Sequence, residues 1–199
     1  MGSIASRLVI YMGEKMGKSY EFYIQTNNPY IMNEFSRQDN KLSQAIESIF
    51  PMNTEALILF WNHIGVPLSY KYEISYMVDD ILMFLKRIQS EEKGEVLVHW
   101  LPDTFRADWR LIWNNEIITI EADWENITGD LQRILVDLRK INMSKKEFVS
   151  EWKMPLEVLI NALDRNGYNQ LLKDEYDNLV NIFNHIDEYG ILYQNKNVC

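Results

Sequence analysis

Apolar and polar positions change period several times along the chain. "RLVIYM" and "SYEFYIQ" read as strands: the first is rich in branched and aromatic residues, and the second alternates, with Tyr20, Phe22 and Ile24 on one side. The turn-forming "TNNP" closes this pair, so a β-hairpin is predicted over residues 6–26. From Asn40 the spacing becomes helical, with Leu42, Ala45, Ile46, Ile49 and Phe50 on one face until Pro51. Asn53 or Thr54 can cap a second helix, "EALILFWNHI", that Gly65 stops. "VPLSYKYEIS" follows as an edge strand. "MVDDILMFLKRIQSEE" is then a third helix with Met77, Ile81, Phe84, Leu85 and Ile88 inward and Gly94 beyond its end, so that residues 40–92 are mainly helical.

The middle alternates again. "EVLVHWL", "ADWRLIW" and "EIITIEADW", with a turn at Asn114-Asn115, predict three antiparallel strands over residues 95–124. Asn126 or Thr128 then caps "GDLQRILVDLRKI", whose Leu131, Ile134, Leu135 and Leu138 form an apolar stripe. "SKKEFVSEW", "PLEVLINALDRNG" and "YNQLLKDEYDNLVNIFNHIDEYG" continue the helical pattern, with Pro155 in a first turn and Gly167 and Gly190 as stops; "ILYQNKNVC" is a surface tail. Residues 128–190 are therefore read as C-terminal helices. The expected fold is α+β: a small antiparallel β-sheet packed with helices, a helical C-terminal half, and a single domain over residues 1–199.

Composition narrows the function more by exclusion than by assignment. Apolar residues are 47% and charged residues 25% of the chain, enough for a core and too apolar for global disorder. The sole cysteine, Cys199, provides neither a disulfide framework nor a thiolate metal cluster. The longest apolar run, "ALILFWNHIGV", falls short of the roughly 20 residues of a membrane span, and "LVIYM" is too short for a secretory h-region. A cytoplasmic location without membrane association is expected. Met1-Gly2-Ser3-Ile4-Ala5-Ser6 matches the loose N-myristoylation pattern, which a start-site coincidence explains equally well. The net charge of −9 argues against general nucleic-acid binding and suits a basic partner.

Enzyme motifs fail on inspection. "YMGEKMGKS" approaches a phosphate loop, but Gly13 and Gly17 enclose one residue too few and a strand follows where a helix is required. Asp79-Asp80 resembles a magnesium-binding strand end, yet fits better in the first turn of an amphipathic helix. His63, His99 and His185 form no metal-binding spacing, although His99 with Asp103, or His185 with Asp187, has the chemistry for acid–base work. No cofactor is implied.

Residues 99–126 stand out. They hold Trp100, Trp109, Trp113 and Trp124, four of the chain's six tryptophans, and "ADW" twice. From Asp103 to Asp137, eight acids face three arginines. An ordinary sheet would bury the indoles and solvate the acids; a binding face would expose both, the indoles as anchors and the acids as steering charge. On the second reading the partner-binding residues are Asp103, Asp108, Trp109, Glu121, Asp123, Trp124 and Glu125. If the strand register buries Trp109 and Trp124, the acids act alone, because Asp108 and Trp109 point to opposite faces of a regular strand.

Here the chain resembles the immunity proteins of bacterial polymorphic-toxin and contact-dependent inhibition systems, which are small, acidic, cytoplasmic and Trp-rich. The resemblance is strongest over residues 95–138 and carries over no residue roles. It implies an inhibitor covering the active site of a cognate protein toxin, a basic nuclease. Two other functions fit the residues: an enzyme with a noncontiguous carboxylate or histidine site in a deep pocket, and a helical adaptor with an apolar patch over residues 145–190.

Overall fold

A computed structural model describes residues 21–33, 35–52 and 57–187. The phosphate-loop-like segment, the myristoylation pattern and the first strand of the hairpin expected over residues 6–26 lie outside the described residues, as does the tail. Within them the chain is α+β. Two antiparallel sheets are present: β1 (Phe22–Gln25), β2 (Leu57–Trp61) and β3 (Ile64–Leu68) in one, and β4 (Gly94–Trp100), β5 (Phe105–Trp113), β6 (Ile117–Ile127) and β7 (Lys140–Ser144) in the other, each in sequence order.

The first sheet corrects the helix expected over residues 55–64. Leu57, Leu59 and Trp61 are buried while Ile58 and Phe60 are half-exposed, a period of two. Asn62 and His63 both adopt positive φ, 45° and 68°, and Trp61 pairs with Ile64 across them. That is the two-residue turn whose twist matches a hairpin. Gly65 thus lies inside β3 and stops no helix.

Helix α1 (Leu42–Ile49) buries Leu42, Ala45, Ile46 and Ile49, the stripe expected from spacing. The segment read as an edge strand instead divides: residues 66–68 complete β3, and Tyr70–Ile74 makes a π-helical turn leading into α2 (Ser75–Ser90). Asp79 and Asp80 therefore sit beyond the first turn of α2, which contains no acid. Glu73 in the π-turn is buried, and its carboxyl accepts from Ser69 N (2.7 Å) and Ser69 Oγ (2.6 Å) and from the hydroxyl of Thr104.

β4, β5 and β6 occupy the region read as three strands. At their second turn neither Asn114 nor Asn115 takes positive φ; Asn114 Oδ1 accepts from the backbone N–H groups of Glu116 and Ile117 at 3.0 and 2.9 Å. The helix expected over residues 129–141 is replaced by a 3-10 turn (Thr128–Asp130), the one-turn α3 (Gln132–Leu135) and β7. Positive φ at Gly129 and Asp130 breaks the helix start, Ile134 is 53% exposed, and Ile141 and Met143 bury as alternating strand residues beside β6.

The helical layer is α4 (Lys145–Glu151), capped by Ser144 Oγ, then α5 (Lys153–Arg165), α6 (Tyr168–Leu171) and α7 (Lys173–Asn184). Gly167, at φ 79°, ends α5 as its position predicts, but Leu172 interrupts the long helix expected after it. The core lies where the sheets and helices meet. Trp61 of β2 contacts Trp109 and Trp124 of the second sheet at 5.3 and 4.9 Å between ring centroids, and Phe148 of α4 packs on Phe22 at 5.1 Å.

Candidate functional site

Alternation along β5 and β6 decides which half of each "ADW" reaches solvent. Trp109 is fully buried and Trp124 is 6% exposed, their rings 6.1 Å apart and edge-to-face. They are core residues, which corrects their expected role as exposed anchors. Burying two indoles in a mutual aromatic cluster removes a large apolar area from water. Their sequence neighbours Asp108 and Asp123 are thereby turned outward.

On that outer face the cross-strand register builds rows. One row reads His99, Asp108, Asp123; the next reads Leu97, Arg110, Glu121, Lys140. His99 Nδ1 donates to Asp108 at 2.6 Å, and Arg139 reaches Asp123 at 3.5 Å. Glu121 is held by Lys140 at 2.9 Å and Arg110 at 3.4 Å, and Arg110 also donates to Glu95 at 2.8 Å. The Lys140 ammonium, helped by Arg110, holds the Glu121 carboxyl below the usual range, and Arg110 does the same for Glu95.

Leu97, Asp108, Arg110, Glu121, Asp123 and Lys140 line a shallow depression of about 450 Å³. Asp108, Glu121 and Asp123 are thus brought together, with Asp103 and Glu125 toward one end. Asp103 lies in the β4–β5 connection, paired with Arg106. Glu125 is the additional residue of a bulge, because Ala107 pairs with Trp124 and Arg106 with Asn126. Sequence reasoning missed Arg139 and Lys140, which enter from β7 and offset part of the acid excess. Their only sequence signal is the adjacent basic pair itself.

The other candidates are differently placed. His99 pairs with Asp108 and not with Asp103. His185 Nδ1 donates to the Asn181 carbonyl at 2.7 Å while Asp187 pairs with Lys146 at 3.2 Å. His63 occupies the β2–β3 turn. Among the described residues no group of three or more His, Cys, Asp or Glu is arranged to hold a metal ion, and no helix is long and apolar enough to cross a membrane.

Asp80 borders the site from α2. Burial, then repulsion from Asp79, raises its pKa against a smaller opposing attraction from His99. A carboxyl raised by folding favours the fold below its unfolded pKa of about 3.9 and loses that contribution as pH rises through the raised value. Asp80→Asn is accordingly expected to melt higher than the parent at pH 7, with the difference vanishing toward pH 3. A melting difference independent of pH would contradict this account of Asp80.

No protein-family model matches the chain. No curated protein and no solved structure matches it either.

Proposed function

We propose that this chain is a protein-binding inhibitor of the immunity type, which neutralises a basic toxin, a nuclease, by covering its active site with the outer face of β4–β6. The observation that carries the reading is the placement of Asp108 directly opposite Asp123 on neighbouring strands. Like charges so placed cost stability, and nothing in the core requires them. Such local violations are expected where a surface is kept for binding. His99 and Arg139 hold the two carboxylates in place at the surface, and a partner's Lys or Arg supplies the remaining countercharge. The face acts through its acids, Asp103, Asp108, Glu121, Asp123 and Glu125, which steer a basic surface and speed association.

The test is capture with tagged protein from the native host and from neighbouring cells, at low and high salt, using the parent and Asp123→Lys as paired baits. One stoichiometric basic protein held by the parent and lost with high salt or with Asp123→Lys is the expected result. Equal capture by both baits would refute the sheet face as the binding surface. Asp123→Asn is further expected to stabilise the free protein slightly, by up to about 0.5 kcal/mol, while weakening capture; a destabilised Asp123→Asn in a thermal melt would count against the cost assigned to this pair.

The His99–Asp108 pair is the observation favouring a second reading, an enzyme, since a carboxylate on Nδ1 orients imidazole for proton transfer. Both side chains are well exposed, 58% and 40%, on an open sheet face, which suits docking better than chemistry that excludes water. The adaptor reading called for an apolar patch over residues 145–190; Leu171 is the one large apolar side chain there that is prominently exposed among the described residues.

A further inference from the structure

Beyond the end of β4 the chain crosses to β5 through residues 101–104, and this crossing faces the π-turn and the start of α2. Between them runs a groove of about 530 Å³, within the range of ligand and anchor pockets, lined by Tyr72, Tyr76, Leu101, Pro102, Thr104 and Arg106. Three of these side chains are exposed among the described residues: Tyr72 is 40%, Tyr76 63% and Leu101 70% exposed. A single exposed apolar residue is ordinary, but three converging on one groove mark an interaction site.

The walls are fixed before anything binds. The buried Glu73 carboxyl accepts from Ser69 on the π-turn side and from Thr104 on the crossing side, tying one wall to the other. Ser69 Oγ in turn accepts from Tyr72 N at 3.1 Å, and the Tyr72 hydroxyl donates to Met52 Sδ at 3.3 Å, so backbone and ring of Tyr72 are both held. Rigid tyrosines on an ordered backbone give large contact area for little loss of conformational entropy.

The surroundings select the occupant. Asp103 lies on the groove itself, Asp80 follows Tyr76 one turn along α2, and Asp108 follows Arg106 along β5. Against these carboxylates stand His99, bonded to Asp108, and Arg106, paired with Asp103. Arg106 belongs to both the groove and the outer face of β5, so the groove continues the charged face.

We propose that this groove is the anchor pocket of the same interface, receiving an apolar side chain from a loop of the basic partner in which Lys or Arg stands on either side. The proposal rests on the inhibitor reading for the identity of the partner, but the groove's preference is a property of this chain alone. It is tested with two synthetic probes, acetyl-Arg-Phe-Arg-amide and acetyl-Glu-Phe-Glu-amide, titrated into the isotope-labelled protein and followed by amide shifts. The cationic probe is expected to shift Tyr72, Tyr76, Leu101 and Thr104 saturably, the acidic probe to bind at least tenfold more weakly, and Tyr76→Ser to abolish the response at an unchanged melting temperature. Equal binding of both probes, or shifts centred on Leu97 and Lys140, would overturn it. So would concentration-dependent self-association lost in Tyr76→Ser, which would give the groove to a second copy of the chain. The probes report on the groove and paired capture with Asp123→Lys reports on the sheet, so the failure of either claim is visible apart from the other.

Discussion

Trp109→Ala is expected to destabilise the protein by about 3–5 kcal/mol, read as a lowered denaturation midpoint, because it empties the centre of the aromatic core. The Trp109 ring contacts Phe22, Trp61, Trp100, Phe105 and Trp124, so neighbours on both sheets lose packing together. Two milder variants separate packing from hydrogen bonding. Trp61 Nε1 donates to the Leu138 carbonyl, whereas Trp109 Nε1 is buried with no hydrogen-bond partner among the described residues. Trp61→Phe and Trp109→Phe remove similar volume, but only the first removes a hydrogen bond, leaving the Leu138 carbonyl with the longer one from Asn62 Nδ2 at 3.5 Å. Trp61→Phe is expected to cost about 1 kcal/mol more than Trp109→Phe. Equal losses would deny the Trp61–Leu138 bond its place in joining the sheets.

Glu73→Ala is the second large effect, with an expected loss of about 2–4 kcal/mol, since it leaves the donors of Ser69 and Thr104 without their buried acceptor. Glu73→Gln retains one acceptor oxygen and is expected to lose about half as much. The loss should also be local: amide exchange should accelerate in the π-turn and in residues 101–104 before it does so in β5. Exchange that rises uniformly across the chain would show that Glu73 supports the whole core rather than the joint between α2 and the β4–β5 crossing. This joint sets the groove walls, so the same variant should broaden the probe response at Tyr72.

Where one period ran long enough, the sequence was a good guide. The stripe of Met77, Ile81, Phe84, Leu85 and Ile88 is buried on α2, and the alternation through Trp109 and Trp124 places three adjacent strands correctly. The misreadings occurred where pattern was short and a turn decided. "LILFW" is a continuous apolar run that suits a buried helix or a strand equally, and Asn62-His63 is a weaker hairpin signal than Asn-Gly. β7 is only Lys140–Ser144, and the apolar residues before it mimic a helical stripe.

The candidate site was legible in half. Asp108 and Asp123 were visible as the outward partners of buried tryptophans once a strand was assumed. Their countercharges were not, because Arg139 comes beside Asp123 only when β7 pairs with β6, a contact that no local window contains. The groove was hidden for a similar reason. Tyr72 and Tyr76 meet Leu101 through a π-turn and a strand crossing far apart in sequence, and the alternation of the π-turn segment suits an edge strand equally well.

Carboxylate footprinting of the free protein and of its complex with the captured partner, by carbodiimide labelling and mass spectrometry, tests the central claim most directly. Protection of Asp103, Asp108, Glu121, Asp123 and Glu125, with Asp174, Glu175 and Asp177 of α7 labelled equally in both states, is the predicted result. Protection of the α7 carboxylates with the sheet acids unchanged would contradict it and place the interface on the helical layer.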